Sequence, residues 1–268
     1  IVIFFNRLIY LQPKKRQIFI LEYKMSKQNN FLPRLILIAC GSYSPPTSMH
    51  LRMFEIARNH FMERGMFRVI GGIISPVHDE QHKQGLVGGE HRLAMLKLAL
   101  RSSNWIRLSD WELRQTQWTP TVDVLKYHKH CIEYAAKTER GEGSGADYAK
   151  WLPAELYACT ADVQLRFLLG GDLLETLADT KLWSNEEIES LCNYGLVVLT
   201  RFGSKPDKFV FESDILSKYC RNIELITNWT TNNLSSTLVR RLLRRGQSVK
   251  YLIDDDVIEY INKHNLYR

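Results

Sequence analysis

Cysteine is scarce in this chain. There are five in 268 residues (Cys40, Cys131, Cys159, Cys192 and Cys220), with no Cys-x-x-Cys pair and no zinc-like spacing. That pattern argues against a structural zinc domain and for free thiols in a reducing, intracellular compartment, nuclear or cytoplasmic. No uninterrupted apolar run approaches the length needed to span a bilayer. The dinucleotide fingerprint G-x-G-x-x-G is missing, and no Gly-Lys-Ser/Thr marks a Walker A loop. No acidic cage for a metal ion stands out.

Charge of one sign is in modest excess. The formal net charge is +7, which invites a nucleic-acid reading until its location is considered. Residues 1–24 hold Arg7, Lys14, Lys15, Arg16 and Lys24 against Glu22, a net +4, so the remainder carries only about +3. That balance suits a protein handling phosphate-rich substrates and weakens the case for a nucleic-acid surface. Residues 1–24 also have short apolar bursts broken by basic residues and no small-residue cleavage site. They read as an extension outside the fold, with Met25 as the natural start. Pro13-Lys-Lys-Arg16 as a nuclear address is the weaker alternative.

What is present is a full α/β pattern. At 45% hydrophobic residues the chain can bury a complete core. Strand-like runs at Leu35–Cys40, Phe67–Ser75, Trp105–Leu108, Val163–Leu169, Leu196–Arg201 and Ile223–Ile226 alternate with helical patterns such as Glu90–Arg101 and Val257–Tyr267. Alternation of this kind gives an α/β fold, a Rossmann-like doubly wound parallel sheet in a single domain over residues 25–268. Residues 138–162, with Gly141, Gly143 and Gly145 among scattered charges, read as a variable, exposed insertion.

The most informative stretch runs from Leu35 to His50. An apolar strand ends in Gly41-Ser-Tyr-Ser-Pro45-Pro and opens a helix at Thr47-Ser-Met-His50. Strand, tight turn and helix start together make an anion site, because backbone N–H groups and the positive end of the helix dipole meet there. Gly41 lets the backbone approach a ligand. A cationic histidine in the first turn opposes the dipole, so His50 makes better sense beside a bound anion than as a purely structural group. Two other sites show the same logic. Gly170-Gly-Asp172 follows a strand, where Asp172 can accept from ribose hydroxyls or cap a helix. Ser236 and Thr237 can cap the helix Leu238–Arg245 and donate to phosphate oxygens. Arg240 sits on the same side, with a planar fork suited to a polyphosphate.

The pattern Gly41-Ser-Tyr43-Ser-Pro45-Pro-Thr47-Ser-Met-His50 resembles the G-x-[FY]-x-P-x-[TH]-x-x-H signature of the nucleotidylyltransferase superfamily. Leu234-Ser-Ser236-Thr237-Leu-Val-Arg240 resembles its second signature, I-S-S-T-x-x-R, almost 190 residues later. Gly72-Ile-Ile-Ser-Pro-Val77, Lys83-Gln-Gly-Leu86, Leu169-Gly-Gly-Asp-Leu-Leu-Glu175, Leu182-Trp183, Asn193-Tyr-Gly195 and Arg244-Arg-Gly-Gln-Ser248 are similar to segments of animal nicotinamide mononucleotide adenylyltransferases. Gly171 departs from that pattern, which has Ala.

The resemblance implies adenylyl transfer from ATP to nicotinamide mononucleotide or nicotinic acid mononucleotide, giving NAD and pyrophosphate, with magnesium on the ATP phosphates. It implies His50 on the α-phosphate, with Gly41, Ser42, Tyr43 and Thr47 around the phosphates. Lys83 would hold the attacking phosphate, and Ser236, Thr237 and Arg240 the β- and γ-phosphates. Trp118 and Trp183 would flank the pyridine ring, as flat aromatic faces do, while Trp111 would be structural. Thr121, Gly170, Asp172, Leu182, Arg201 and Asn232 would complete the nucleotide contacts. Alternatives are another nucleotidylyltransferase, or a catalytically weak, chaperone-like relative. Homo-oligomers are left open, and no nucleic acid or membrane partner is implied.

Overall fold

The computed structural model describes residues 32–81, 85–137, 150–158, 162–179, 182–200, 205–229 and 233–268. The expected N-terminal extension, Lys83, Arg201, Asn232 and much of the expected insertion lie outside the described residues.

The elements follow the alternation expected. They are β1 (Arg34–Gly41), α1 (Ser48–Glu63), β2 (Arg68–Pro76), α2 (Gly89–Ala99), β3 (Ile106–Leu108), α3 (Thr121–Lys137), β4 (Val163–Gly170), α4 (Gly171–Leu177), α5 (Asn185–Tyr194), β5 (Leu196–Thr200), α6 (Pro206–Glu212), α7 (Asp214–Lys218), β6 (Ile223–Thr227), α8 (Ser236–Arg244) and α9 (Asp255–Lys263). All the strand pairings are parallel, in the order β3-β2-β1-β4-β5-β6. The order reverses between β1 and β4. In doubly wound sheets a ligand crevice opens at that reversal, beyond the carboxyl ends of the strands.

β1 shows why the sheet is buried on both faces. Its alternate residues Leu35, Leu37 and Ala39 pack in one apolar cluster, and Ile36 and Ile38 in the other. A period-two strand with helices on both sides therefore reads as a continuous apolar run. Gly72 in β2 serves the same packing: a Cβ there would lie 2.7 Å from the ring of Phe54, so α1 could not approach this closely. A third cluster joins α2, α8 and α9 through Met95, Val239, Val257 and Ile261, bringing the carboxyl-terminal helices against the edge of the crevice.

One expectation about organisation is corrected. The exposed insertion over 138–162 does not hold for 150–158, where Trp151, Leu152 and Leu156 are buried in the main core. Trp151 leans on His128 at 4.7 Å between ring centroids. Trp111 stacks on Tyr127 at 4.1 Å, nearly parallel, in the same aromatic group. His128 is neutral there, since burial pushes its imidazole down to about 4. Its Nδ1–H donates to the Val124 carbonyl (2.7 Å) and its Nε2 accepts from the Ser109 hydroxyl (2.8 Å).

Candidate active site

A cavity of about 310 Å³ opens at the β1/β4 reversal. Gly41, Ser42, Tyr43 and His50 line it from the β1–α1 turn, Gly170 and Asp172 from the end of β4 and start of α4, and Ser236, Thr237 and Arg240 from α8. The two distant helix starts thus converge on one space. A larger cleft, about 660 Å³, lies at the amino-terminal ends of β4 and β5, with Lys129, Glu133 and Arg166 among its lining residues. It contains none of the phosphate-binding candidates, so the smaller cavity is the functional candidate.

The turn after β1 is shaped by its own aromatic residue. Tyr43 adopts a left-handed φ of 48°, which costs a non-glycine residue conformational energy. Its hydroxyl donates to the Ala39 carbonyl at 3.0 Å, folding the ring back over Gly41. A Cβ at position 41 would stand 3.2 Å from that ring. A side chain at position 41 would press on that ring, so glycine suits the folded-back Tyr43. The Ser44–Pro45 peptide is cis.

His50 gains more from structure than its helix position suggested. The Thr47 backbone N–H donates to His50 Nδ1 at 2.9 Å, and the Thr47 hydroxyl lies at the same distance. This is the reach-back half of a capping box, with imidazole in place of the usual Glu or Gln at N3. Because Nδ1 accepts, we assign the ring proton to Nε2. The ring is thus a neutral N–H donor, held edge-on to Tyr43 at 5.2 Å between centroids. The expected conflict with the helix dipole disappears, since the ring carries no charge in this arrangement.

The α8 start is also corrected. Its N-cap is Ser235, whose Oγ accepts from the Leu238 N–H at 3.2 Å. Ser236 and Thr237 do not cap. Ser236 Oγ donates to the Pro45 carbonyl (2.8 Å), tying α8 to the β1–α1 turn. Thr237 Oγ1 accepts from Arg240 Nη2 (3.2 Å), and Arg240 Nη1 donates to the Ser44 carbonyl (2.8 Å). Ser44 Oγ in turn meets the Tyr267 hydroxyl at 2.9 Å and accepts from the Val87 N–H at 3.2 Å. Burial and neighbouring Arg244 both lower the Arg240 pKa, although Tyr267 opposes this; a guanidinium stays charged regardless. Burial holds the Tyr267 hydroxyl up at about 12.

Asp172 lies in the first turn of α4, while Gly170 is the N-cap, so the capping alternative for Asp172 falls away. Asp172 is the one carboxylate among the described residues lining the cavity. Thr47 is buried behind the imidazole it holds. Trp118, Thr121, Leu182 and Trp183 do not line the cavity. Thr121 begins α3, and Trp118 precedes it, 44% exposed, its backbone N–H donating to Glu80 Oε2 at 2.9 Å. Trp118 therefore flanks the turn Asp79–Gln81 that leads to Lys83. Leu182 is 64% exposed, and Trp183 Nε1–H donates to Thr176 Oγ1 at 3.3 Å.

Sequence reasoning missed Ser44, Ser235, Arg92 and Glu112. Glu112 is 2% exposed and accepts from the Ser75 hydroxyl at 2.9 Å. Burial raises its carboxyl to about 7, although the Ser75 hydroxyl, the His78 N–H and the Arg92 charge all pull it down. A carboxyl raised on folding holds its proton more tightly in the native state. Its contribution to stability is complete below about 4.5, the unfolded value, and is lost as pH climbs through about 7. Glu112→Gln should remove that loss. In thermal melts the variant should gain on the wild type between pH 5 and 8, by up to about 3 kcal/mol. A difference between the two proteins that stays constant across pH would refute this.

Residues 38–242 match the family model described as Cytidylyltransferase-like. The chain is 53% identical over 258 residues to a Drosophila melanogaster nicotinamide-nucleotide adenylyltransferase, covering 95% of this chain and 65% of that protein. It therefore spans just under two thirds of the length of that relative. It is 38% identical over 255 residues to the Bos taurus nicotinamide/nicotinic acid mononucleotide adenylyltransferase 1, covering 90% and 91% of the two chains. A Plasmodium falciparum nicotinic acid mononucleotide adenylyltransferase complexed with NaAD shares the fold. Its TM-score is 0.60 at 20% identity, over 87% of this chain and 97% of that one.

Proposed function

The chain belongs to the nicotinamide/nicotinic acid mononucleotide adenylyltransferases, within the Cytidylyltransferase-like family, and from that premise we propose that it transfers the adenylyl group of ATP to a pyridine mononucleotide. The 5′-phosphate oxygen of the mononucleotide forms a bond to the α-phosphorus of ATP. The bond from that phosphorus to the bridging oxygen breaks, and pyrophosphate leaves. No covalent enzyme intermediate is needed, so the protein contributes position and charge stabilisation.

One observation carries this reading. An imidazole with a fixed Nε2 donor shares a cavity with a guanidinium and two helix N-termini. His50 would donate to the α-phosphate, where charge grows in the transition state. The β1–α1 turn with Ser42 would hold neighbouring phosphate oxygens. Ser236, Thr237 and Arg240 would take the β- and γ-phosphates, while Lys83 holds the attacking phosphate. Asp172 would accept from a ribose hydroxyl, and Arg201 and Asn232 would complete the nucleotide contacts. Among the described residues no group of three or more His, Cys, Asp or Glu side chains could hold a metal ion. Magnesium would come in on the ATP phosphates as part of that substrate. Among the described residues no helix is long and apolar enough to cross a membrane.

The test is NAD formation from ATP and nicotinamide mononucleotide, and its acid counterpart from nicotinic acid mononucleotide. Failure with both acceptors would overturn the reading. Trp118 bears on the acceptor side, since it meets Glu80, three residues before Lys83 in sequence. Trp118→Ala should raise the KM for the mononucleotide about tenfold or more, the scale of one lost aromatic stack, and leave that for ATP within about threefold. Equal effects on both substrates would argue against stacking. The same comparison with Trp183→Ala reports on the second ring.

A further inference from the structure

Arg92, the fourth residue of α2, has the largest completely buried side chain described. Burying a guanidinium is costly unless its N–H groups are answered. Here Nε donates to the Val87 carbonyl (3.0 Å), Nη1 to the Ser42 carbonyl (3.1 Å), and Nη2 to both the Val77 carbonyl and Asp79 Oδ1 (2.7 Å each). The other Asp79 oxygen accepts from the Gly89 N–H at 2.9 Å, at the start of α2. Burial alone would raise the Asp79 carboxyl, but Arg92 and the Gly89 N–H outweigh it and hold the pKa below its usual value.

The acceptors come from three separate segments. Ser42 lies in the turn after β1, Val77 and Asp79 in the turn after β2, and Val87 just ahead of α2. Lys83 lies in sequence between Val77 and Val87. One guanidinium therefore holds residues on either side of Lys83 in sequence, Val77 and Val87, and with a third nitrogen the Ser42 carbonyl of the turn after β1. Holding the Ser42 carbonyl also turns the Tyr43 N–H away from Arg92, since the two are opposed across a trans peptide.

We propose that Arg92 is a positioning residue of the transfer reaction, fixing the turn after β1 against Val77, Asp79 and Val87, the described residues that flank Lys83 in sequence. This rests on the adenylyl-transfer reading above. Arg92 touches neither substrate. It acts through the two segments it ties together, and an in-line displacement is sensitive to errors of about 1 Å in such spacing. Lysine keeps the charge but, with a single nitrogen, cannot reach acceptors spread around a planar fork.

The experiment is steady-state kinetics with separate equilibrium binding of ATP and of nicotinamide mononucleotide, on wild type, Arg92→Lys and Asp79→Ala. Arg92→Lys should lower kcat by about thirtyfold or more, while the affinity for each nucleotide alone stays within about threefold. Asp79→Ala removes a half-exposed partner, leaves the three carbonyl contacts, and should lower kcat by roughly tenfold with the same unchanged binding. If Arg92→Lys does not fold, Asp79→Ala alone decides. Unchanged kcat, or affinity and kcat falling together with melting temperature, would overturn the inference and leave Arg92 a structural residue. A wild-type protein that forms no NAD would instead overturn the reaction on which it rests.

Discussion

Replacing His50 with alanine is expected to cut turnover by at least ~100-fold, the usual scale for one well-placed donor at developing charge. The structure adds a complication that the experiment must separate. The imidazole also accepts the Thr47 N–H, so alanine removes a helix cap worth about 1 kcal/mol. His50→Glu resolves the two roles. Glutamate is the ordinary reach-back residue of a capping box, so it should restore the melting temperature lost in the alanine variant. It offers no N–H donor and brings negative charge to a phosphate site, so turnover should fall further than in alanine. A glutamate variant that regained both stability and turnover would reduce His50 to a cap and remove the centre of the mechanism.

The strand-turn-helix of β1 and α1 was readable because its signal is local. Five consecutive buried positions, a glycine, prolines and a helix-starting threonine need no distant partner to be understood. The parallel sheet follows from the same alternation of strands and helices. What could not be read depends on contacts far along the chain. Arg92 sits in a helix with Glu90, His91 and Lys97, where an arginine ordinarily points to water. Only the carbonyls of Ser42 and Val77, fifty and fifteen residues away, turn it inward. Nothing local marks Glu112 as buried; the Ser75 hydroxyl, thirty-seven residues away, meets its carboxyl inside the fold. Ser236 and Thr237 read as caps in sequence, but the Pro45 carbonyl and Arg240 claim them, and the cap falls to Ser235. Trp151 was overlooked because the glycines before it dominated that stretch, although its ring packs on His128.

Arg240→Ala should lower kcat/KM for ATP by ~100- to 1,000-fold, the range for losing a positive, hydrogen-bonding group at a transferring phosphate. The ligand series, more than the size of the loss, identifies the contact. AMP lacks the β- and γ-phosphates, so its affinity should change by less than about threefold, while ATP binding weakens strongly. Arg240→Lys should recover only part of the activity. The guanidinium bonds the Ser44 carbonyl with one terminal nitrogen and Thr237 with the other, and a single ammonium cannot hold both while facing the cavity. A lysine variant at wild-type rates would show that charge alone suffices. Equal losses for AMP and ATP would place Arg240 in the wall that supports the Ser44 turn, not on the polyphosphate. In that case Ser236, Thr237 and the α8 N-terminus would be the anion contacts left on that side of the cavity, since among the described residues the other arginine bonded to the turn after β1, Arg92, is buried beneath it.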